Sequence, residues 1–202
     1  MGKEKLSKVL LATILGVAFM LPGIIHADDA VWSRRGKLEI FGIFQPTSGA
    51  STSTDQGVEI EFKGTTTFGV GVGYSVTDLI NLNGTILWGN ADLETNADAW
   101  GYQTSGDSDL YFTDFNVDVN FMKRRLTPVL SAGIGSAEFL GYASGADLDE
   151  RNLSWNIAGG VRWDALDHLL IKALYRATWT ELEESRDGMV FSGLALSVGY
   201  IY

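Results

Sequence analysis

From residue 36 onward the chain alternates. Apolar side chains recur at every second position in one segment after another, the period of a strand with two unlike faces. In 57–76, Ile60, Phe62, Phe68, Val70, Val72 and Tyr74 take the even positions, against Glu59, Glu61, Lys63, Thr65, Thr67, Gly69, Gly71 and Gly73. In 79–88, Ile80, Leu82, Ile86 and Trp88 oppose Asn81, Asn83 and Thr85. The clearest case is 111–121, where Tyr111, Phe115, Val117, Val119 and Phe121 interleave with Phe112, Asp114, Asn116, Asp118 and Asn120. Leu153, Trp155, Ile157, Val161 and Trp163 oppose Asn152, Ser154, Asn156 and Arg162, and Leu169, Ile171, Ala173, Tyr175 and Trp179 oppose Lys172, Arg176 and Thr178. The last ten residues set Leu194, Leu196, Val198, Tyr200 and Tyr202 against Gly193, Ala195, Ser197, Gly199 and Ile201. Two segments are weaker. In 37–44, Phe41 and Ile43 share a parity with Lys37 and Glu39; in 129–140, Leu130, Ala132 and Ile134 alternate until the pattern breaks near Glu138, as at a bulge.

These segments make eight strands. Their connections alternate in length: Thr77-Asp78, 123–128 and 164–167 are short, whereas 45–57, 91–109, 141–151 and 181–188 are long, polar and rich in Gly, Ser, Thr, Asp and Glu. Short turns at one end and long loops at the other predict an all-β, eight-stranded antiparallel up-and-down transmembrane β-barrel. A soluble barrel also alternates, with its apolar face inward. Three features favour an outward apolar face. The bulky set, with Trp88, Trp155, Trp163, Trp179, Tyr74, Tyr111, Tyr175, Tyr200 and Tyr202, is too large for the interior of eight strands. The opposite face carries Gly69, Gly71, Gly73, Gly133, Gly135, Gly160, Gly193 and Gly199, which make room inside a narrow lumen. The aromatics also fall at two levels: Tyr74, Phe121, Trp163 and Tyr202 near the short turns, and Trp88, Tyr111, Trp155 and Trp179 near the long loops. The ten residues from Tyr111 to Phe121 span roughly 33 Å of strand, or roughly 25 Å of height once tilted, the thickness of an apolar band with an aromatic girdle at each interface.

The N-terminus reads differently. Lys3, Lys5 and Lys8 precede an apolar run over 9–21, and Ala27 offers a small residue at a cleavage point. The run is too short to span a bilayer as a helix, so 1–27 is expected to be a cleaved signal peptide, with a membrane anchor as the alternative. Residues 28–35 then form a lead-in and 36–202 the barrel. Without the leader's three lysines and one glutamate, 12 Lys and Arg face 24 Asp and Glu, a net charge of −12. That balance argues against nucleic acid as a partner. There are no cysteines, so packing and closed hydrogen bonding must hold the exported fold.

With these segments the chain resembles the bacterial outer-membrane β-barrel family, in particular its eight-stranded OmpA-like and opacity-like barrel domains. The resemblance covers roughly 36–202 and rests on the repeated strand pattern, as in TTTFGVGVGYSVTDLINLNG (65–84), and on the aromatic ending VGYIY. It implies a location in the outer membrane, contact with its lipids and lipopolysaccharide, and a monomeric barrel. It also implies that Tyr200 and Tyr202 form a recognition signal for the barrel-insertion machinery, reached with the help of periplasmic chaperones. Tyr202 stands where Phe is more usual.

Candidate chemistry concentrates inside. Glu39, Asp114, Asp118, Arg162, Lys172 and Arg176 share the slim face. Counted up from the short turns, Asp118 is level with Lys172 and Asp114 with Arg176, so ion pairs across the lumen are expected, either as a static plug or as a gate. The long connections carry Asp92, Glu94, Asp98, Asp107, Asp109, Asp147, Asp149, Glu150, Glu181, Glu183, Glu184 and Asp187. They read as a solvated acidic surface or as ligands bridging a divalent cation to lipopolysaccharide, although no EF-hand spacing is present. No metal or cofactor site is expected. Nor is catalysis: His168 is the one histidine left after the leader, Leu170 stands two residues on where a serine would be needed, and Asp164 reads as turn chemistry. GVGVGY lies along a strand and is no dinucleotide motif. The reading is a structural, surface-displaying barrel. A narrow channel for small or apolar solutes and a lipid-modifying enzyme are the alternatives.

Overall fold

The computed structural model describes residues 32–53, 59–97, 102–143, 146–180 and 188–202. The leader expected over 1–27 lies outside them. Ten strands form one antiparallel sheet: β1 (Leu38–Thr47), β2 (Ala50–Ser53), β3 (Glu59–Phe62), β4 (Thr65–Ser75), β5 (Ile80–Ala97), β6 (Tyr102–Asn120), β7 (Leu126–Ala143), β8 (Ala146–Leu166), β9 (Leu169–Thr180) and β10 (Met189–Ile201). Eight of them are staves. Each pairs with the next in the order β1, β4, β5, β6, β7, β8, β9, β10, and β10 pairs back with β1. The barrel is therefore closed and no stave has a free edge. At the seam Tyr202 N–H donates to Leu38 O (2.8 Å) and Leu38 N–H to Tyr202 O (3.3 Å).

The outward face through the middle of the barrel is apolar. Phe68, Val70, Val72 and Tyr74 on β4, Phe115, Val117 and Val119 on β6, and Leu194, Leu196, Val198 and Tyr200 on β10 are all exposed. Their strand neighbours point into the lumen and are buried. In water such a surface would be an aggregation liability. Facing acyl chains it is the stable arrangement, because the closed ladder leaves no backbone polar group in hydrocarbon.

Three sequence expectations change. The long segments 91–109 and 141–151 are not open loops. β5 and β6 stay in register to Ala97↔Tyr102, and β7 and β8 to Ala143↔Ala146, so both hairpins continue beyond the lipid-facing belt. There is no bulge at Glu138: β7 runs evenly through Ser136↔Leu153 and Glu138↔Arg151. The apolar parity changes there because the surroundings change. Above the belt the outside is water, so Asp92 and Asp107 are exposed while Leu87, Ala91, Leu110, Ala137 and Phe139 fill the interior. Finally, 57–76 is not one strand. Phe62 pairs with Leu93 and Thr67 with Gly89, so one side advances five residues while the other advances four. The extra residue at Lys63–Gly64 inverts the parity. Phe62 therefore turns inward, 1% exposed, while Phe68 stays outward at 51%. The β2–β3 hairpin continues β1–β4 outward with this inverted phase.

Phe41 and Ile43 also point inward with Glu39 and are buried, so β1 keeps its outward face apolar through Leu38, Ile40 and Phe44.

Candidate functional site: the lumen

The lumen is filled in three layers. The floor, near the short turns, is ionic. Arg162 Nη2 lies 2.7 Å from Glu39 Oε1 and its Nε 2.9 Å from Asp164 Oδ1. Lys172 Nζ lies 3.6 Å from Glu39 Oε2 and 3.0 Å from Asp118 Oδ2. Arg34 Nε lies 2.7 Å from Asp164 Oδ2. One chain of alternating charge thus runs Arg34–Asp164–Arg162–Glu39–Lys172–Asp118. Asn81 Nδ2 (3.1 Å) and Ser75 Oγ (3.3 Å) also donate to Glu39 Oε1. Gly73 makes the approach feasible: a methyl group there would lie 3.1 Å from Asn81 Oδ1 and 3.3 Å from Glu39 Oε2.

Above the floor, Arg176 Nη2 meets Asp114 Oδ2 at 2.5 Å, and Asn156 Nδ2 donates to Asp114 Oδ1 at 3.1 Å. Asn116 Nδ2 donates to Asn83 Oδ1 at 3.3 Å. Beside these groups, Phe41, Ile43, Leu174 and Ala195 complete a cavity of about 40 Å³. It has room for roughly three waters. Among the residues that line it, Asn83 Nδ2, Thr85 Oγ1, Asn116 Oδ1 and Arg176 Nε have no protein partner.

The third layer, at the level where the hairpins leave the lipid belt, is an apolar collar. Phe191 lies 5.6 Å from Phe112 and 6.0 Å from both Phe62 and Phe139, ring centre to ring centre, and Phe62 lies 5.4 Å from Phe139. Leu87, Leu110 and Met189 belong to the same buried cluster. The sequence reading assigned the interior to small and charged groups. It missed this collar because the inward parity was judged only inside the lipid belt.

Every lumen residue singled out in the sequence lies on the inner face. Asp118 meets Lys172 and Asp114 meets Arg176. Glu39 and Arg162, left without stated partners, meet each other. Two members of the network were missed. Asp164, read as turn chemistry, belongs to β8 and points inward, fully buried, because that strand runs on to Leu166 past an irregularity between Asp164 and Leu166. Arg34 comes from the lead-in. With it the buried charges number four acids (Glu39, Asp114, Asp118, Asp164) and four bases (Arg34, Arg162, Lys172, Arg176), so the described lumen is neutral. A signal existed: Arg34 and Asp164 are ionisable residues beside strand ends that must face either lipid headgroups or the lumen.

Residues 32–36 form a strap across the floor. Arg34 also donates to Met122 O (3.1 Å) and to Arg124 O, and Trp32 Nε1 donates to Asp164 Oδ2 (2.7 Å). Asp78, in the turn between β4 and β5, accepts from Ser33 Oγ (2.9 Å), Arg34 N (3.0 Å) and Arg35 N (3.2 Å). The Ser33 hydroxyl first, then the two amides and Lys123, lower the Asp78 carboxyl to about 2 against the cost of desolvation. The strap therefore touches all three short-turn regions: 76–79, 121–125, and the end of β8. Gly36, at φ 80°, turns the chain from the strap into β1.

On the outer face, Tyr74, Phe121, Trp163 and Tyr202 are exposed at the strap end, and Trp88, Tyr111 and Trp155 at the other. Trp88 pairs in register with Tyr111, and Trp155 stacks on Trp179 at 4.1 Å. Tyr200 stacks on His168 (5.2 Å), whose Nδ1 lies 3.1 Å from Ile201 O. Of the acidic residues, Asp98, Glu181, Glu183, Glu184 and Asp187 lie outside the described residues, as do the side chains of Asp147, Asp149 and Glu150. Among the described residues no three acids or histidines gather closely enough to hold a metal ion.

A closed eight-stave barrel with an apolar belt outside and a polar network inside defines an integral outer-membrane β-barrel protein. Residues 31–201 match the family described as outer membrane protein beta-barrel domain, and the chain belongs to that family. It is a protein of the bacterial outer membrane. Among solved structures it is similar to outer membrane protein OprG from Pseudomonas aeruginosa, with 12% identity, 86% of this chain and 99% of that chain covered and a TM-score of 0.56. It is also similar to Neisserial surface protein A (NspA), with 14% identity, 82% and 96% covered and a TM-score of 0.54. At these identities the likeness is one of fold. No curated protein sequence matches the chain.

Proposed function

We propose that this protein is a sealed, non-enzymatic barrel that works as a monomer and holds its acidic outer hairpins at the cell surface on a rigid, lipid-embedded pedestal. The observation that carries this reading is the charge balance of the lumen: among the described residues four buried acids meet four buried bases, six of them in one continuous chain beneath an aromatic collar. Buried charges are costly unless each is paired, and here each carboxylate meets a cation. An open pore would keep its lining charges hydrated and would not need the pairing. The collar weighs against a route for apolar solutes, since its rings already occupy one another's contact distance.

The outer aromatics serve as girdles at the two headgroup levels, where Trp and Tyr settle. Tyr200 and Tyr202 serve the insertion machinery. His168 is exposed at the strap end with one ring nitrogen engaged by Ile201 O, which supports a role in the strand seam and not in catalysis. Single-channel recording of the refolded protein in planar bilayers tests the proposal. Silence is expected, and sustained steps of defined size would overturn it.

A further inference from the structure

The strap end carries a surplus of positive charge. Among the described residues, Arg35, Lys37, Lys123 and Arg125 stand there against Asp78 and Asp167, in a chain of net charge −10. Two of these have carboxylate partners: Lys123 lies 3.4 Å from Asp78, whose side chain is 18% exposed, and Arg125 2.5 Å from Asp167, whose side chain is 67% exposed. An exposed pair such as Arg125–Asp167 contributes little and leaves its cation open to another anion. Among the described residues, Arg35 and Lys37 have no carboxylate within ion-pair distance.

The strap gives these cations a fixed arrangement. The Lys37 ammonium lies 3.7 Å from the centre of the Trp32 ring and the Arg125 guanidinium 4.3 Å from it. Trp32 is itself held by its bond to Asp164. Two like charges gathered on one ring repel each other; Asp167, paired with Arg125, meets part of that repulsion and a second anion would meet the rest. The cations also sit at a definite depth. Lys37 directly precedes the exposed Leu38, and Lys123–Arg125 follow Phe121 and precede Leu126, which pairs with Trp163. They therefore lie at the lower limit of the lipid-facing belt, within reach of headgroup phosphates by snorkelling.

We propose that this rim docks anionic phospholipid headgroups of the periplasmic leaflet, with lipid phosphates engaged by Arg35, Lys37 and Arg125. The acidic hairpins at the other end would repel such lipids, so the two ends together bias the barrel's orientation and its surrounding lipid. The proposal is independent of whether the lumen conducts.

The test is lipid retention. The barrel is refolded in bicelles of phosphatidylglycerol and phosphatidylethanolamine, stripped stepwise with detergent, and the lipids that stay are identified by native mass spectrometry. Preferential retention of phosphatidylglycerol is expected, with a loss of roughly fivefold for each cation neutralised in R35Q/K37Q/R125Q and a further loss with salt. Heat-modifiability on gels shows that each variant is folded. If the triple variant does not fold, R35Q/K37Q leaves every Arg34 and Asp164 contact in place and should still lose roughly fivefold per cation. Equal retention of both lipids by the unaltered protein, or retention unchanged in the folded variant, would overturn the proposal. So would displacement of the lipid by inorganic phosphate at equal charge, which marks a small-anion site. Rim-dependent binding to peptidoglycan sacculi without any lipid preference would also overturn it.

Discussion

The floor and the collar fill the same cylinder by opposite means. The floor uses charges, each of which needs a particular partner at a particular height. Arg162 joins Glu39 from β1 to Asp164 from β8, and Lys172 reaches both Glu39 and Asp118. The collar uses rings whose contacts are non-directional, with Phe191 touching Phe62, Phe112 and Phe139 at once. The reason lies outside the wall. Beside the floor the exterior is hydrocarbon, so most of the bulk goes outward and the narrow interior is left chiefly to polar and small groups, with Phe41 and Ile43 packed among them. At the collar the exterior passes from the Trp88–Tyr111 girdle into water, and apolar side chains gain by turning inward. The same strands carry both regimes, so a single parity rule cannot describe a whole strand.

The largest effect separates these two layers as seals. Arg34→Ala opens the floor and Phe191→Ala thins the collar. Since the layers lie in series, each variant alone should stay silent in planar bilayers and the double variant should conduct. Conduction by Arg34→Ala alone would show that the collar is no seal.

Stability comes next. Arg162→Met leaves Glu39 and Asp164 buried without their shared cation, and should cost about 3–5 kcal/mol in urea unfolding from lipid vesicles. Adding Glu39→Gln should restore part of that loss. A cost below roughly 1 kcal/mol would mean that water solvates the floor and that the contrast with the collar is weaker than drawn. In the collar, Phe191→Ala should cost about 3 kcal/mol and Phe191→Leu about 1 kcal/mol, because neighbouring rings can close on a smaller apolar group. At the floor no such graded tolerance is expected: Lys172→Met keeps the bulk of the chain yet strands Asp118.

The smallest effect is on the strap. The Asp78 carboxyl is lowered to about 2 by the Ser33 hydroxyl, the strap amides and Lys123. A depressed carboxylate stabilises the fold above its unfolded value, about 3.9, and that contribution is lost as pH falls through about 2. The Trp32 indole proton resonance should therefore shift and exchange faster between about pH 4 and pH 2, with little change in the barrel itself. Asp78→Asn should move this transition or remove it.

Much of the barrel was legible because its cause is local. Alternation at Phe115, Val117 and Val119 against Asp114, Asn116 and Asp118 needs only one strand to be read. The level of the Asp118–Lys172 and Asp114–Arg176 pairs followed from counting along strands from short turns. Phe62 was not legible, since one extra residue near Gly64 reverses its face and nothing in the alternation marks that residue. The hairpin extensions were hidden as well: polar residues on a water-facing strand look like loop residues. Arg34 was hidden because it precedes the first strand and reaches its partner across 130 residues of chain.

By itself the sequence determined the period, the two faces, the closing of eight staves and the lipid-facing belt, because backbone geometry converts alternation directly into sidedness. Only the tertiary structure decided which charges meet, where the parity inverts and what covers the floor. Those depend on register and on contacts between distant strands, and a repeat of two residues carries no information about which residue lies on the far side of the lumen.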